Sequence, residues 1–438
     1  MIRAIQIAFA VILSSFYLFP FEFTFLPGIN TKMAMAGVGL VLLGIQLGRA
    51  RNSIFNKELV ILSVFAALVS LTSFIAVTIN ETRDYTYVSF IISMWVWLSA
   101  AYVAVSAIRK IHGYASIALI CNYLIAVCVF QCVSALLIDF SPAVKHFAMT
   151  YISDLGPTQM EFMLRERRLF GFGAALDPAG ARFAAVLTII GFLGTRIANT
   201  IQQKHMVWYI LAFLLIAVVG NMIARTTTVG IILALAYLLF ATKVYRLVID
   251  KGAGYMLLWL GGILVVTVPL LTLLYHTNDQ FHDNLRFAFE GFFSLAEKGR
   301  WEVSSNEILK NMVVFPDNAK TWLIGDGYMV NPNTTDPYYT GEYHKAGYYK
   351  LTDIGYLRFI FYGGIPCLLA MAAFIWKSGR ISMQKFKDQQ WLFWLLLAVN
   401  YVVWLKVSTD IFLILALFLM VKQEEDEAYE ARIHLPES

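Results

Sequence analysis

The chain has 438 residues, of which 59% are hydrophobic and 14% charged, with a mean hydropathy of +0.66 and a formal net charge of +5. Soluble domains run at roughly 45–50% apolar and about 25% charged, so this composition excludes an ordinary soluble domain and points to a polytopic membrane protein. The basic residues stand in short clusters between apolar runs, which argues against a nucleic-acid surface and carries orientation instead.

Apolar runs recur at about 4–26, 33–48, 58–79, 86–108, 114–138, 181–196, 206–223, 228–246, 254–275, 353–376, 390–405 and 408–421. Most approach the 17 to 25 residues that cross roughly 30 Å of hydrocarbon, and they are continuous rather than alternating. Backbone groups in lipid must then be satisfied within each segment, which selects helices over barrel strands. The expected fold is an all-α membrane protein of about twelve spans. The first run, after Met1-Ile2-Arg3, lacks a small-x-small cleavage pattern and reads as a retained span.

Basic residues fall in alternate connections: Arg49, Arg51 and Lys57; Arg109 and Lys110; Arg196 and Lys204; Lys243, Arg246 and Lys251; Lys377, Arg380, Lys385 and Lys387. By the positive-inside rule these face the cytoplasm, as do both termini, and two long polar loops at about 139–180 and 276–351 face outward. The chain therefore divides into an N-terminal transmembrane bundle (1–275), a large external loop before the tenth span (276–351), C-terminal transmembrane helices (352–422) and an acidic tail (423–438). The tail, with Glu424-Glu425-Asp426-Glu427, reads as a solvated cytoplasmic end. Cys121, Cys128, Cys132 and Cys367 all lie in apolar runs and read as packing residues, not metal ligands or disulfides.

Within the large loop, Leu285, Phe289, Phe292 and Leu295 recur at helical spacing, Gly299 breaks the pattern, and Ile308 and Leu309 resume it. From Pro316 onward, Gly325-Asp326-Gly327 and Asn331-Pro332-Asn333 predict ordered turns.

Four arginines share the outer face: Arg168 at the end of the first loop, Arg225 in a tight turn between spans, and Arg286 and Arg300 in the large loop. Arginine is always charged and its planar fork matches phosphate, so several converging at one depth form a diphosphate site that needs no metal. The plainer alternative for each is snorkelling or a local ion pair. Arg225 has no acidic neighbour in sequence, which favours a functional role. Nucleotide, zinc-protease and nucleophile-elbow motifs are absent; Gly171-Phe172-Gly173 lacks the third glycine of a dinucleotide fingerprint. His276 and His282 read as surface residues. The tyrosines Tyr328, Tyr338, Tyr339, Tyr343, Tyr348, Tyr349 and Tyr356 suit sugar stacking or an interfacial belt. Arg358, Lys406 and Asp410 are further candidates for buried charge.

The order Gly299-Arg300-Trp301, Trp322-Leu323-Ile324-Gly325-Asp326-Gly327, Thr352-Asp353-Ile354-Gly355-Tyr356-Leu357 and Tyr362-Gly363-Gly364-Ile365 resembles the bacterial O-antigen ligase and Wzy-type polymerase superfamily. The Arg225 turn and Arg167-Arg168-Leu169-Phe170-Gly171 are similar to it as well, so that the likeness covers roughly the C-terminal two thirds. It implies a metal-independent, cofactor-free glycosyltransferase at the periplasmic face of the inner membrane, with an undecaprenyl-diphosphate-linked oligosaccharide as substrate, membrane lipids around it and a chain-length regulator as partner.

The resemblance implies lipid-diphosphate contacts for Arg225 and Arg300, with Arg168 on a second lipid. Ligases usually carry a histidine about eleven residues before the last glycine of the final motif. Here Asp353 occupies that place, and His344 lies nine residues earlier. The chain therefore looks more like a polymerase than a ligase, although a strict Arg-x10-Gly repeat is missing: from Arg168 the next fitting glycine, Gly180, is one residue too far. The expected general base is Asp353, with His344 second; capping of the next helix is the alternative for Asp353. Asp177 is expected to cap its helix or orient Arg168, and Arg286, Tyr348 and Tyr356 to line the substrate. A transporter of a lipid-linked or anionic solute remains the rival from another class; it predicts ionisable residues or broken helices near mid-bilayer.

Overall fold

The computed structural model describes residues 2–49, 57–153, 163, 168–197, 206–241, 251–331 and 348–433. Its helices are α1 (Ile2–Leu18), α2 (Thr31–Arg49), α3 (Lys57–Ile79), α4 (Phe90–His112), α5 (Ile117–Phe140), α6 (Pro142–Tyr151), α7 (Leu176–Ile197), α8 (Met206–Ile223) and α9 (Thr227–Ala241). They continue as α10 (Lys251–Thr277), α11 (Asp279–Ala288), α12 (Glu290–Lys298), α13 (Ser304–Asn311), α14 (Ala319–Leu323), α15 (Gly355–Lys385), α16 (Gln390–Val403), α17 (Phe412–Leu419) and α18 (Gln423–Ile433). Among the described residues the only β pairing is three isolated bridges.

All twelve apolar runs contain helix. Among the described residues, six helices are long and apolar enough to cross a membrane: α3, α4, α5, α7, α8 and α15; shorter apolar segments occupy α1, α2, α9 and α10. Helix α3 shows why the surface is a lipid surface. Leu62, Ala66, Val69, Ser73 and Ala76 are buried on one face. Val60, Val64, Leu68, Leu71 and Ile75 are exposed on another, again at steps of three or four. A helix apolar on both its packed and its exposed faces has hydrocarbon, not water, as its outer solvent. The chain is a multi-pass, all-α membrane protein.

Helix α17 lies at the centre, with all eight of its residues buried, against α4 and α15. Eight residues rise only about 12 Å. The polar segment ahead of it, from Leu405 to Ile411, joins this buried helix to α16. Asn400 Oδ1 accepts from the Ile411 amide at 3.1 Å, and Trp404 Nε1 donates to the Thr409 carbonyl at 2.6 Å, fixing this connection.

Helix α15 breaks where two of the glycine motifs meet. Gly363 and Gly364 take non-helical angles, Gly364 at φ 71 and ψ −175, a region that only glycine enters readily. The break leaves the Phe361 and Tyr362 carbonyls without their helical donors, and the Asp326 and Gly327 amides take them at 2.6 and 3.0 Å. Gly325-Asp326-Gly327 is thus a turn that plugs a kinked helix. Asp326 also accepts from Thr321 at 2.7 Å and from the Tyr349 hydroxyl at 3.2 Å.

The amphipathic stretch of the large loop forms two helices rather than one, α11 and α12, with Phe289 at their junction. Leu285 is buried, while Phe292 and Leu295 are exposed. The break at Gly299 is present, with φ 68 closing α12. The tail corrects a second expectation: residues 423–433 are not a solvated end but helix α18 docked on the bundle. Glu425 pairs with Arg109 at 2.9 Å, Glu430 pairs with Arg196 at 3.0 Å, and Asp426 accepts from the Ile117 amide at 2.7 Å at the head of α5. All four cysteines are buried and free.

Candidate functional site

Two loops and the helices that follow α10 converge at the end of the bundle where α7 and α9 begin. The Leu169 amide donates to the Met222 carbonyl at 3.0 Å, which ties the end of the first long loop to the α8–α9 turn. That turn is closed by Thr227 and Thr228 amides on the carbonyls of Ala224 and Arg225, both at 3.0 Å. Arg168 and Arg225 are thereby brought to one aromatic ring. Their guanidinium carbons lie 5.0 and 4.3 Å from the centroid of Phe287, which α11 supplies.

Arg225 has an acidic partner after all, supplied through space. It pairs with Glu290 of α12 and lies 3.4 Å from Ser304 Oγ at the start of α13, with its own side chain 13% exposed. These groups open onto a cavity of about 580 Å³ lined also by Arg286, Phe293, Glu297 and Glu302. It is the groove of mixed charge and aromatic surface beside the arginine pair.

Next to the turn lie two carboxylates. Asp177, in the first turn of α7, accepts from the Thr226 hydroxyl and pairs with Lys406 at 3.1 Å; Lys406 also reaches Thr226 Oγ1 at 3.2 Å. Asp353, two residues ahead of α15, lies 3.5 Å from Arg358. Burial pushes Asp353 up from the ordinary 3.8 to about 7; the Asp177 carboxylate adds to the rise, and Arg358 and Lys406 oppose it. The four charges are therefore within electrostatic reach of one another. Non-glycine residues with positive φ precede both carboxylates: Leu176 at 56°, and Lys350 and Leu351 at 54°. Such angles cost about 1–3 kcal/mol each and persist where the surroundings enforce them.

Asp353 does not cap its helix: Ile354 holds the cap position of α15 and no side-chain cap bond forms. Arg358 donates to Ser408 at 2.6 Å and to the Met329 carbonyl at 3.2 Å, and its guanidinium lies 4.2 Å from the Tyr348 ring. Tyr348 thus packs on a cation beside the carboxylate. Tyr356 instead donates to the Tyr401 carbonyl at 2.9 Å and meets Trp404 edge-to-face, a packing role.

The remaining predicted residues stand apart from the pair. Arg286 is held by Glu297 at 2.6 and 2.8 Å and by the Tyr275 hydroxyl at 3.2 Å, so it braces α11 against α12 in the groove wall. Arg300 is 72% exposed and pairs with Glu302 at 2.7 Å; it is not brought to Arg225. His344, Arg165 and Arg167 lie outside the described residues. Phe287, Glu290, Ser304 and the placement of Lys406 were not readable from sequence, because each reaches the site across 60 or more positions and no local pattern marks it. Among the described residues, no three His, Cys, Asp or Glu side chains are grouped to hold a metal ion. Comparison of the chain with protein-family models, with curated proteins and with solved structures returns no match.

Proposed function

We propose that this protein is a glycosyltransferase of the Wzy polymerase type, lengthening polysaccharide from undecaprenyl-diphosphate-linked repeat units. In this reading the chain crosses the bacterial inner membrane about twelve times, with both termini cytoplasmic and the Arg168–Arg225 end periplasmic. The observation that carries it is the convergence of Arg168 and Arg225 on Phe287, with Asp177 within electrostatic reach of Arg168 and in turn of Asp353, a carboxyl pushed up to about 7. Two guanidinium groups at one ring suit a leaving diphosphate, and a carboxyl near 7 suits a base.

The step is direct. An acceptor sugar hydroxyl attacks the anomeric carbon of the donor, the bond from that carbon to the diphosphate oxygen breaks, and its electron pair leaves with the diphosphate. The hydroxyl proton passes to Asp353. Attack opposite the leaving group inverts the anomeric centre. Arg225 exchanges Glu290 for phosphate when donor binds, and both arginines oppose charge that grows as the bond breaks. Removing one such preorganised donor typically costs about 10²- to 10³-fold in rate.

The test is the glycan ladder of a deletion strain complemented with wild type, Arg225→Ala or Asp353→Ala at matched membrane levels. Long chains with wild type, and a single repeat on lipid A core with deletion and variants, support the reading. Loss of all attached glycan, with long chains retained on the carrier, would make the protein a ligase. An intact ladder in the deletion would remove polymerisation altogether.

A further inference from the structure

Deeper in the same bundle lies a second set of charges that the proposed transfer does not use. Arg182 is five residues beyond Asp177 on α7, about 7.5 Å further along the helix axis. Lys32 is in the first turn of α2, and Asp410 stands just ahead of α17. Ring and backbone contacts gather the three: the Trp97 ring under Lys32 packs on Phe412 at 5.6 Å, two residues from Asp410, while Tyr17, two residues before the Phe19 ring under Arg182, donates to the Leu413 carbonyl at 2.7 Å. So placed, Asp410 attracts both cations and the cations repel each other. No ion pair joins them within 4.0 Å. Asp410 Oδ1 is already engaged by the Phe412 amide at 2.9 Å. The Arg182 guanidinium and the Lys32 ammonium make no hydrogen bond to any described residue; they face the rings of Phe19 and Trp97, at 5.4 and 5.0 Å.

This arrangement holds one more positive charge than negative, packed against the rings of Phe19 and Trp97. An uncompensated charge inside a membrane bundle is expensive, and such residues mark binding or transport sites far more often than scaffolding. Were the cluster only structural, the carboxylate would be expected to close onto one of the cations, as Asp177 closes onto Lys406. Instead the donors of Lys32 and Arg182 face aromatic rings and make no hydrogen bond to any described residue. A guanidinium fork and an ammonium together suit an oxyanion with several acceptor oxygens.

We infer that Lys32, Arg182 and Asp410 form an inner binding site for a phosphate-class oxyanion, separate from the Arg168–Arg225 mouth. Asp410 limits the affinity, so that the anion is held and released rather than trapped. The source is either the headgroup of a phosphorylated lipid or a free phosphate or diphosphate ion. The site stands whether or not the protein is a polymerase, because its evidence lies in charges the transfer does not touch.

The experiment uses full-length protein carrying Arg168→Gln and Arg225→Gln, so that binding at the mouth is disabled. One arm titrates inorganic diphosphate by calorimetry; the other measures thermal stabilisation in nanodiscs containing polyprenyl phosphate, against discs containing the uncharged polyprenol. Binding in either arm that weakens at least tenfold on adding Lys32→Gln, and strengthens on adding Asp410→Asn, establishes the site. A response only to polyprenyl phosphate assigns it to a lipid headgroup, and a response to diphosphate alone assigns it to the free ion. Arg182→Gln should weaken binding likewise, and Lys32→Gln, at a helix start, serves should that variant fail to fold. Absence of binding in both arms, or binding indifferent to Lys32→Gln and Asp410→Asn, overturns the proposal. The glycan ladder reads the polymerase assignment independently, so the two ideas can fail separately.

Discussion

Lys406 Nζ lies 3.1 Å from Asp177 Oδ1, closing an ion pair between residues 229 positions apart. The pair joins the head of α7 to the segment ahead of α17, and Thr226 binds both partners. It therefore locks the Arg225 turn to the head of α7 and to that segment. Lys406→Met should leave Asp177 without its cation and lower stability by about 1–3 kcal/mol. The double variant Lys406→Met with Asp177→Asn should lose less than the sum of the singles, since neither group is then left uncompensated. Thermal unfolding in one detergent measures the cycle; strict additivity would show that the pair is not coupled.

The kink in α15 makes a second prediction. A Cβ on Gly364 would meet the Leu323 carbonyl carbon at 2.5 Å, and one on Gly325 would meet the Tyr362 carbonyl oxygen at 2.5 Å. Both clashes are with backbone, and both glycines have positive φ. Gly364→Ala should cost at least roughly 1–3 kcal/mol from the backbone angle alone. It should also unseat the Gly325-Asp326-Gly327 turn and so displace Asp353 on the same helix entry. The readouts are reduced melting temperature and faster proteolysis between residues 316 and 331. Wild-type behaviour of Gly364→Ala would show that the helix can straighten without loss.

The apolar runs were legible because each span is selected by its own composition, independent of its neighbours. Residue pairs such as Arg168 and Arg225 were legible as candidates because arginine at the end of a span is chemically conspicuous. What brings them together was not, since Phe287 and Glu290 belong to helices whose only sequence signal is amphipathic spacing. The tail misled for a related reason: a run of acids reads as solvated until the basic ends of α4 and α7 appear opposite it. Arg300 shows the converse, a conspicuous residue whose nearest acid, Glu302, lies two positions away and takes it.

The docked tail titrates. Burial pushes Asp426 up from 3.8 to about 6, the Ile117 amide pulls it back, and the neighbouring Glu430 adds to the rise. A carboxyl raised in the folded state contributes stability that is fully present below its unfolded value of 3.8 and is lost as pH rises through about 6. For this group alone, α18 should hold more firmly at pH 5 than at pH 7.5. Asp426→Asn keeps an oxygen for the Ile117 amide without the charge, so it should raise protection at pH 7.5 and flatten that dependence. Hydrogen exchange across 423–433, corrected for the intrinsic pH dependence of amide exchange, compares the two proteins. Equal wild-type and variant protection at pH 7.5 would mean that the buried carboxylate carries no penalty.

Asp353 supplies the sharpest test of the proposed chemistry. Its carboxyl, pushed up to about 7, is protonated below that pH and cannot accept the acceptor's proton; above it the carboxylate is available. The initial rate of chain growth with purified protein should therefore climb tenfold per pH unit below about 7 and level off above it. Arg358, 3.5 Å away, favours the ionised form. Arg358→Gln should move the bend to higher pH while sparing the plateau more than Asp353→Asn does. Asp353→Asn should lower the plateau by about 10²- to 10⁴-fold, the range of one general base, and abolish the bend. If the same bend survives in Asp353→Asn, another group carries the proton, and the role assigned to this carboxylate falls even if Arg225 keeps its own.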